Sequence, residues 1–324
     1  MKRTLLIALF SAATFLLAQD HHDRWSRIDI QHYRFALTLS DETDEIQGQA
    51  QVSLTTRQAL RGLNLDLVAQ VQNGKGMKVS QVSWEGKDLV FKQTGDDLNI
   101  VFASEVAAGE EVVLDIHYSG IPGDGLVISK NTHGDRTFFG DNWPNRARHW
   151  LPTVDHPSDK ATVEFLVTAP NHYQVIANGE QIEETNLDQD LKLTHWRENV
   201  PLPTKVMVIG VAEFAVQHVG YVGQIPQSSW VFPEVREEGF YDYAQAVEIL
   251  PWFIENVAPY PYEKMAHVQS KTRYGGMENA GNIFYYEGSV TGKRQIEALL
   301  AHEIAHQWFG NSASEANWHH VWLS

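Results

Sequence analysis

Between Arg27 and Val216 the sequence keeps a two-residue hydrophobic rhythm that suits β-sheet and little else. Ile46, Gly48, Ala50, Val52 and Leu54 alternate with polar neighbours, and so do Leu63, Leu65 and Leu67. Val163, Phe165 and Val167 repeat the pattern. Successive side chains of a strand point to opposite faces, so this spacing buries one face and leaves the other in water. Turn-forming clusters separate the runs: Gly74-Lys75-Gly76, Thr94-Gly95-Asp96-Asp97, Gly120-Ile121-Pro122-Gly123 and Ala177-Asn178-Gly179. Short strands at this interval imply an antiparallel sandwich or a saddle-like sheet.

The texture changes near Val231. From Pro233 to Ala258, Phe240, Ala244, Val247 and Leu250 fall at helical spacing, with an interruption expected at Pro251. A strand-like stretch follows around Lys264 to Gln269. Gln295 to Phe309 is helical again, with Ile296, Leu299, Leu300 and Ile304 as its buried stripe and Gly310-Asn311 as its stop. The expected class is therefore multidomain, β followed by α+β.

Composition narrows the chemistry. Lys and Arg number 25 against 41 Asp and Glu, a net charge of −16, which argues against a nucleic-acid partner. There is no cysteine, which excludes disulfide frameworks, thiolate zinc sites and cysteine nucleophiles. Any metal must be held by His and carboxylate, and 15 histidines are present. At the start, Met1-Lys2-Arg3 is basic and Leu5 to Ala18 is apolar, then Gln19 and Asp20 turn polar. That reads as a secretory signal peptide over 1–18, since the run falls short of the roughly 20 residues that span a bilayer. The mature chain is expected to be extracytoplasmic, periplasmic or secreted, without a transmembrane anchor.

The chemistry concentrates near the C-terminal end. His302-Glu303-Ile304-Ala305-His306 places two imidazoles one helical turn apart on one face, with Glu303 between them. Such a pair can bind one zinc while the carboxylate takes a proton from metal-bound water. Roughly one chain in twenty of this composition would contain the pattern by chance, and fewer would place it in an amphipathic helix. Upstream lies Tyr274-Gly275-Gly276-Met277-Glu278-Asn279. A Gly-Gly pair is often only a turn, but here two glycines could let a substrate backbone approach, and Glu278 could hold a free α-ammonium. A zinc helix with an ammonium-binding carboxylate describes an exopeptidase that counts from the N-terminus.

These motifs resemble the aminopeptidase N (membrane alanyl aminopeptidase) family of gluzincin zinc peptidases, which includes the leukotriene A4 hydrolase branch. The similarity is carried by Arg148-His149-Trp150-Leu151-Pro152, Asp155-His156-Pro157-Ser158-Asp159-Lys160-Ala161-Thr162 and Ala177-Asn178-Gly179-Glu180. It continues in Pro259-Tyr260-Pro261-Tyr262-Glu263-Lys264-Met265, Gly275 to Gly281, His302 to Asn311 and Trp322-Leu323. The resemblance implies a saddle-shaped β-domain over 19–216 and the first part of a thermolysin-like catalytic domain over 217–324. It implies one Zn2+ per chain, with His302 and His306 as ligands and Glu303 as general base. Glu278 would anchor the substrate's ammonium, beside Asn279, and Gly275, Gly276 and Met277 would form the edge strand that pairs with the peptide. Peptides with a free N-terminal amine are the expected partners. The family also brings a β-domain loop to the amine pocket, and Asp141-Asn142-Trp143 is the nearest segment here.

The family's third zinc ligand is a Glu eighteen residues beyond the second His, which would be the residue after Ser324. The aromatic tail Trp318 to Leu323 reads as built to be buried, so the chain is expected to be a truncated, inactive piece of a longer enzyme. Glu315 lies near, but a short loop is not expected to bring it to the metal. His319 and His320 read as partly buried helix residues. The contrasting expectation is a non-catalytic secreted peptide-binding β-domain protein with a vestigial metal helix. An endopeptidase sharing only the zinc helix, and an epoxide hydrolase of the leukotriene branch, complete the alternatives.

Overall fold

The computed structural model describes Arg24 and residues 26–324. The expected leader over 1–18 lies outside the described residues. Among those described, no helix is long and apolar enough to cross a membrane.

The alternating region forms an eight-stranded sheet. Its central members are Leu191–Pro203, Lys160–Pro170, Ile28–Thr38, Ile46–Thr56 and Glu111–Ile121, in that spatial order. In Ile46–Thr56 every second residue from Ile46 is buried, as the rhythm predicts. One pair departs from the antiparallel expectation: Ile28–Thr38 runs parallel to Lys160–Pro170, with Phe35 opposite Phe165. A parallel pair needs a long crossover, here most of the β-domain, and no local signal announces it. Smaller sheets of four and three strands complete the β-domain.

A five-stranded mixed sheet follows. Ile225–Val231, Met265–Ser270 and Asn282–Tyr286 run parallel, with Ala215–Val222 at one edge and the short Gly276–Met277 at the other. The expected boundary at 216 falls inside strand Ala215–Val222, which pairs with Ile225–Val231. Helices α1 (Arg236–Tyr243), α2 (Ala246–Asn256) and α3 (Glu297–Ala305) accompany this sheet.

The interruption expected at Pro251 falls instead at Ala244 and Gln245, and α2 runs through the proline. Tertiary contact sets the break. The fully buried Asp242 carboxylate accepts the main-chain N–H groups of Thr291, Gly292 and Arg294 at 2.7, 2.8 and 2.6 Å. Gln245 Nε2 donates back to the Asp242 carbonyl at 2.9 Å, holding the corner.

The tail forms a 3-10 helix over Trp318–Leu323, with Trp318 edge-on to His156. His319 and His320 are exposed there, not partly buried, because the helix lies on the surface.

Candidate metal centre

Helix α3 is shorter than the predicted 295–309. Its last regular residue is Ala305, and the chain then tightens through Gln307 N–H to Ile304 O at 3.1 Å and Trp308 N–H to Ala305 O at 3.2 Å. Leu300 and Ile304 are fully buried, as the stripe predicts. Gly310, at φ +105°, ends the run in a conformation that favours glycine.

On the outer face, His302 Nε2 and His306 Nε2 stand 3.2 Å apart with their rings perpendicular. His306 Nδ1 donates to the Phe309 carbonyl at 2.9 Å, so its Nε2 carries the bare lone pair. Two ligands of a tetrahedral zinc, each at about 2.0–2.1 Å, stand about 3.3 Å apart, and the observed spacing fits that. Glu303 turns inward. Burial pushes its carboxyl up to about 8, and the nearby Glu278 carboxylate adds to the shift. Glu278, Glu303 and His306 each bring a possible ligand atom within 4.8 Å of the others.

The two glycines separate in role. A Cβ on Gly276 would stand 2.2 Å from Glu303 Oε1, so glycine here makes room for the carboxylate. A Cβ on Gly275 would meet only Leu299 Cδ1 at 3.7 Å, and its face stays open. Gly276–Met277 pairs with Asn282–Tyr286 on one side and is the outermost strand of its sheet.

A cavity of about 560 Å³ joins these groups: Gly275, Gly276, Met277 and Glu278 on one side, His302, Glu303 and His306 on the other. Asn279 is not brought to it. Its side chain is fully buried, because the chain turns inward where Asn279 N–H bonds the Met277 carbonyl at 2.9 Å. Glu315 is likewise turned away from the histidines, with both oxygens 2.8 Å from Lys205 Nζ.

Sequence reasoning missed the clamp behind Glu278. The buried Gln307 and Asn311 donate from their side-chain amides to the Glu278 carbonyl at 3.2 and 2.6 Å. Gln307 also accepts from Gly281 N–H at 2.8 Å. Both amides lie within the quoted His302 to Asn311 stretch, and their spacing of four was the available signal. From the β-domain, Trp143 enters the cavity wall.

Family models match this chain twice, the peptidase M1 N-terminal domain over residues 30–206 and the peptidase family M1 domain over 241–324. The chain belongs to peptidase family M1. Among curated M1 relatives, leukotriene A-4 hydrolase of Xenopus laevis is 24% identical over 84% of this chain and 47% of its own length. Leucyl aminopeptidase of Saccharolobus solfataricus is 25% identical over 92% of this chain and 38% of its own. Human glutamyl aminopeptidase is 28% identical over 57% of this chain and 20% of its own. The crystal structure of the M1 zinc metallopeptidase from Deinococcus radiodurans superposes with a TM-score of 0.74 at 26% identity, over 92% of this chain and 68% of that one. The chain thus spans about half the length, or less, of the curated M1 relatives it matches. Zinc is the metal the family implies, and the paired imidazole nitrogens suit it.

Proposed function

We propose that this chain is the β-domain (19–216) and first catalytic part (217–324) of a zinc aminopeptidase that removes N-terminal residues from peptides. The observation that carries the reading is the 3.2 Å separation of the His302 and His306 Nε2 atoms beside two inward carboxylates and an open strand edge. His302 and His306 hold the metal, with a carboxylate as third ligand. When bound, zinc supplies a polarised scissile carbonyl and an acidified water.

This chain's residues do the remaining work. Glu303 takes the proton of the attacking water and passes it to the leaving amine. Glu278 accepts the α-ammonium and so sets the first peptide bond, and no other, over the metal. The open edge at Gly275 to Met277 pairs with the substrate main chain, giving affinity that tolerates many sequences. The basic start and apolar run of the leader support export from the cytoplasm.

The test uses the full-length gene product with matched free-amine and N-acetylated peptides and with zinc measured by atomic absorption. Glu303→Gln should keep zinc and lose turnover. Glu278→Ala should keep zinc and lose mainly the free-amine preference. Equal cleavage of both peptides by the unaltered protein would favour an endopeptidase. Absence of stoichiometric zinc would favour the peptide-binding alternative.

A further inference from the structure

We infer that Arg273 is a positioning residue: its bridge to Asp124 of the β-domain latches the 271–275 loop, and so holds the strand edge that follows it in the shape a peptide main chain can join. The inference rests on the aminopeptidase reading above and deepens it.

The 271–275 loop runs from the end of strand Met265–Ser270 to the edge strand Gly276–Met277. Both of its ends are tied. Lys271 Nζ donates to the Glu287 carboxylate, whose other oxygen accepts the Thr132 N–H of a β-domain hairpin at 2.8 Å. At the far end, Tyr286 N–H donates to the Gly275 carbonyl at 3.0 Å. Between these points Arg273, Tyr274 and Gly275 are exposed. Two adjacent glycines leave the backbone unusual freedom, so the exposed stretch needs a hold from outside its own sheet.

Arg273 supplies it. Its Nη2 donates to Asp124 Oδ1 at 2.6 Å, and its Nε faces Asp141 Oδ2 at 4.0 Å. Arg146 closes the ring, with Nη1 3.6 Å from Asp124 Oδ1 and Nη2 paired with Asp141 Oδ1. Two carboxylates thus alternate with two guanidiniums, and of the four only Arg273 lies in the catalytic part. The β-domain members are fixed in place. Asp124 Oδ1 also accepts Gly125 N–H at 2.9 Å, and the Gly125 carbonyl accepts Asp141 N–H at 2.7 Å. Asp141 Oδ2 is buried without a hydrogen-bond partner among the described residues, and Arg273 is the cation it faces. Burial lifts the Asp141 carboxyl above its usual range, and the Arg146 and Arg273 guanidiniums oppose the lift. A network of this kind holds geometry better than a lone exposed pair.

The direction of the substrate makes the latch matter. With the α-ammonium at Glu278, a peptide can follow the edge one way only, because beyond Glu278 the chain turns inward and Asn279 is buried. It passes Met277, Gly276 and Gly275, and at roughly 3.3 Å per residue it meets the latched loop by about its third residue. Longer peptides therefore depend on Arg273, whereas a single aminoacyl group does not.

The experiment uses the full-length gene product with leucyl-methylcoumarin amide and the free-amine tetrapeptide Leu-Ala-Ala-Ala. Arg273→Gln should raise KM for the tetrapeptide about fivefold at unchanged kcat, the upper scale for a half-exposed ion pair, and leave kcat/KM for the amide within about twofold. Arg273→Lys should recover part of the loss, Asp124→Asn should reproduce it, and the double variant should be no worse than either single. Raising NaCl from about 0.05 to about 0.5 M should lift the tetrapeptide KM of the unaltered protein more than that of Arg273→Gln. Hydrogen exchange at the 271–277 amides should quicken in Arg273→Gln, with zinc content and melting temperature unchanged. An unchanged tetrapeptide KM, or an equal loss on both substrates, would overturn the inference while leaving the aminopeptidase reading intact. Cleavage of neither substrate by the unaltered protein would remove that reading, and the exchange comparison would then decide the latch by itself.

Discussion

Lys205 offers the sharpest test of how the two halves of the chain support the site. It lies in the 3-10 turn Thr204–Val206 that ends the β-domain's longest strand, 110 residues before its partner. Its Nζ is 2.8 Å from each Glu315 oxygen and 3.0 Å from Ser324 Oγ, and both charged side chains are 1% exposed. At 2.8 Å and an effective dielectric near 20, the attraction is about 6 kcal/mol. Removing two charges from water costs several kcal/mol each, so the pair as a whole contributes little beyond an apolar pair of the same shape. Breaking it is another matter. Lys205→Met strands the Glu315 carboxylate, and the expected loss is about 3–5 kcal/mol. Lys160 cannot stand in, because its ammonium is bonded to the carbonyls of Asn311 and Ser312 at 3.3 and 2.8 Å.

For a chain of this size, that loss corresponds to a fall of about 4–7 °C in melting temperature. Urea unfolding followed by tryptophan fluorescence, with calorimetry alongside, would measure it. Lys205→Met with Glu315→Leu should recover most of the loss, since no charge is then left behind, so the cycle should show strong coupling. A cost below about 1 kcal/mol for Lys205→Met, or a double variant whose cost is the plain sum of the singles, would refute the reasoning.

Gly276→Ala should displace the Glu303 carboxylate, because the new methyl would sit 2.2 Å from Oε1; kcat should fall by about a hundredfold or more while zinc stays bound, and an unchanged kcat would contradict the geometry. His302→Ala should abolish stoichiometric zinc whereas Glu278→Gln should not, which separates the helical imidazole pair from the cluster of Glu278, Glu303 and His306 as the metal set. Burial and the adjacent Glu263 push the Glu198 carboxyl up to about 9, so between pH 4.5 and 9 the folded protein keeps a proton that the unfolded chain has released, and stability falls as pH rises. Glu198→Gln lacks that slope: from pH 5 to 7.5, below the range where the burial-lowered Lys264 ammonium at about 8 acts in the opposite sense, wild type should lose roughly 2–3 kcal/mol more than the variant, and parallel profiles in denaturant titrations would count against it.

What was legible in the sequence follows from what is local. Ile46 to Leu54 announced their strand because one face is buried and the other wet, and that contrast is written residue by residue. The imidazole pair one turn apart was legible for the same reason, whereas the helix end at Ala305, short of the expected 309, was not. What escaped is set by partners distant in the chain. The break at Ala244 and Gln245 depends on Asp242 capturing a loop about fifty residues later. That Gly276 must also leave room for the Glu303 side chain, 27 residues on, is equally set by a distant partner. The turn that buries Asn279, with its N–H on the Met277 carbonyl, likewise has no signal in the local sequence.

The distribution of these supports bears on what the β-domain is for. The zinc helix is held from below by its own sheet, yet the wall facing it is set by Asn142 and Trp143, and the loop beyond it by Lys160 and Lys205. All four lie in the region matched by the N-terminal family model. The apolar core is shared in the same way: Phe139 of the β-domain packs edge-on against Phe284 of the catalytic sheet at 5.4 Å, and Ala266, Val268 and Met277 belong to the same buried cluster. The side chains beneath the metal helix, Ile296, Leu300 and Ile304, form a second cluster, so the cavity lies where two packed cores meet and either can shift its wall. Substitutions deep in the β-domain near Asn142 should therefore reach the chemistry by moving the wall rather than by altering the metal, changing substrate preference before zinc affinity.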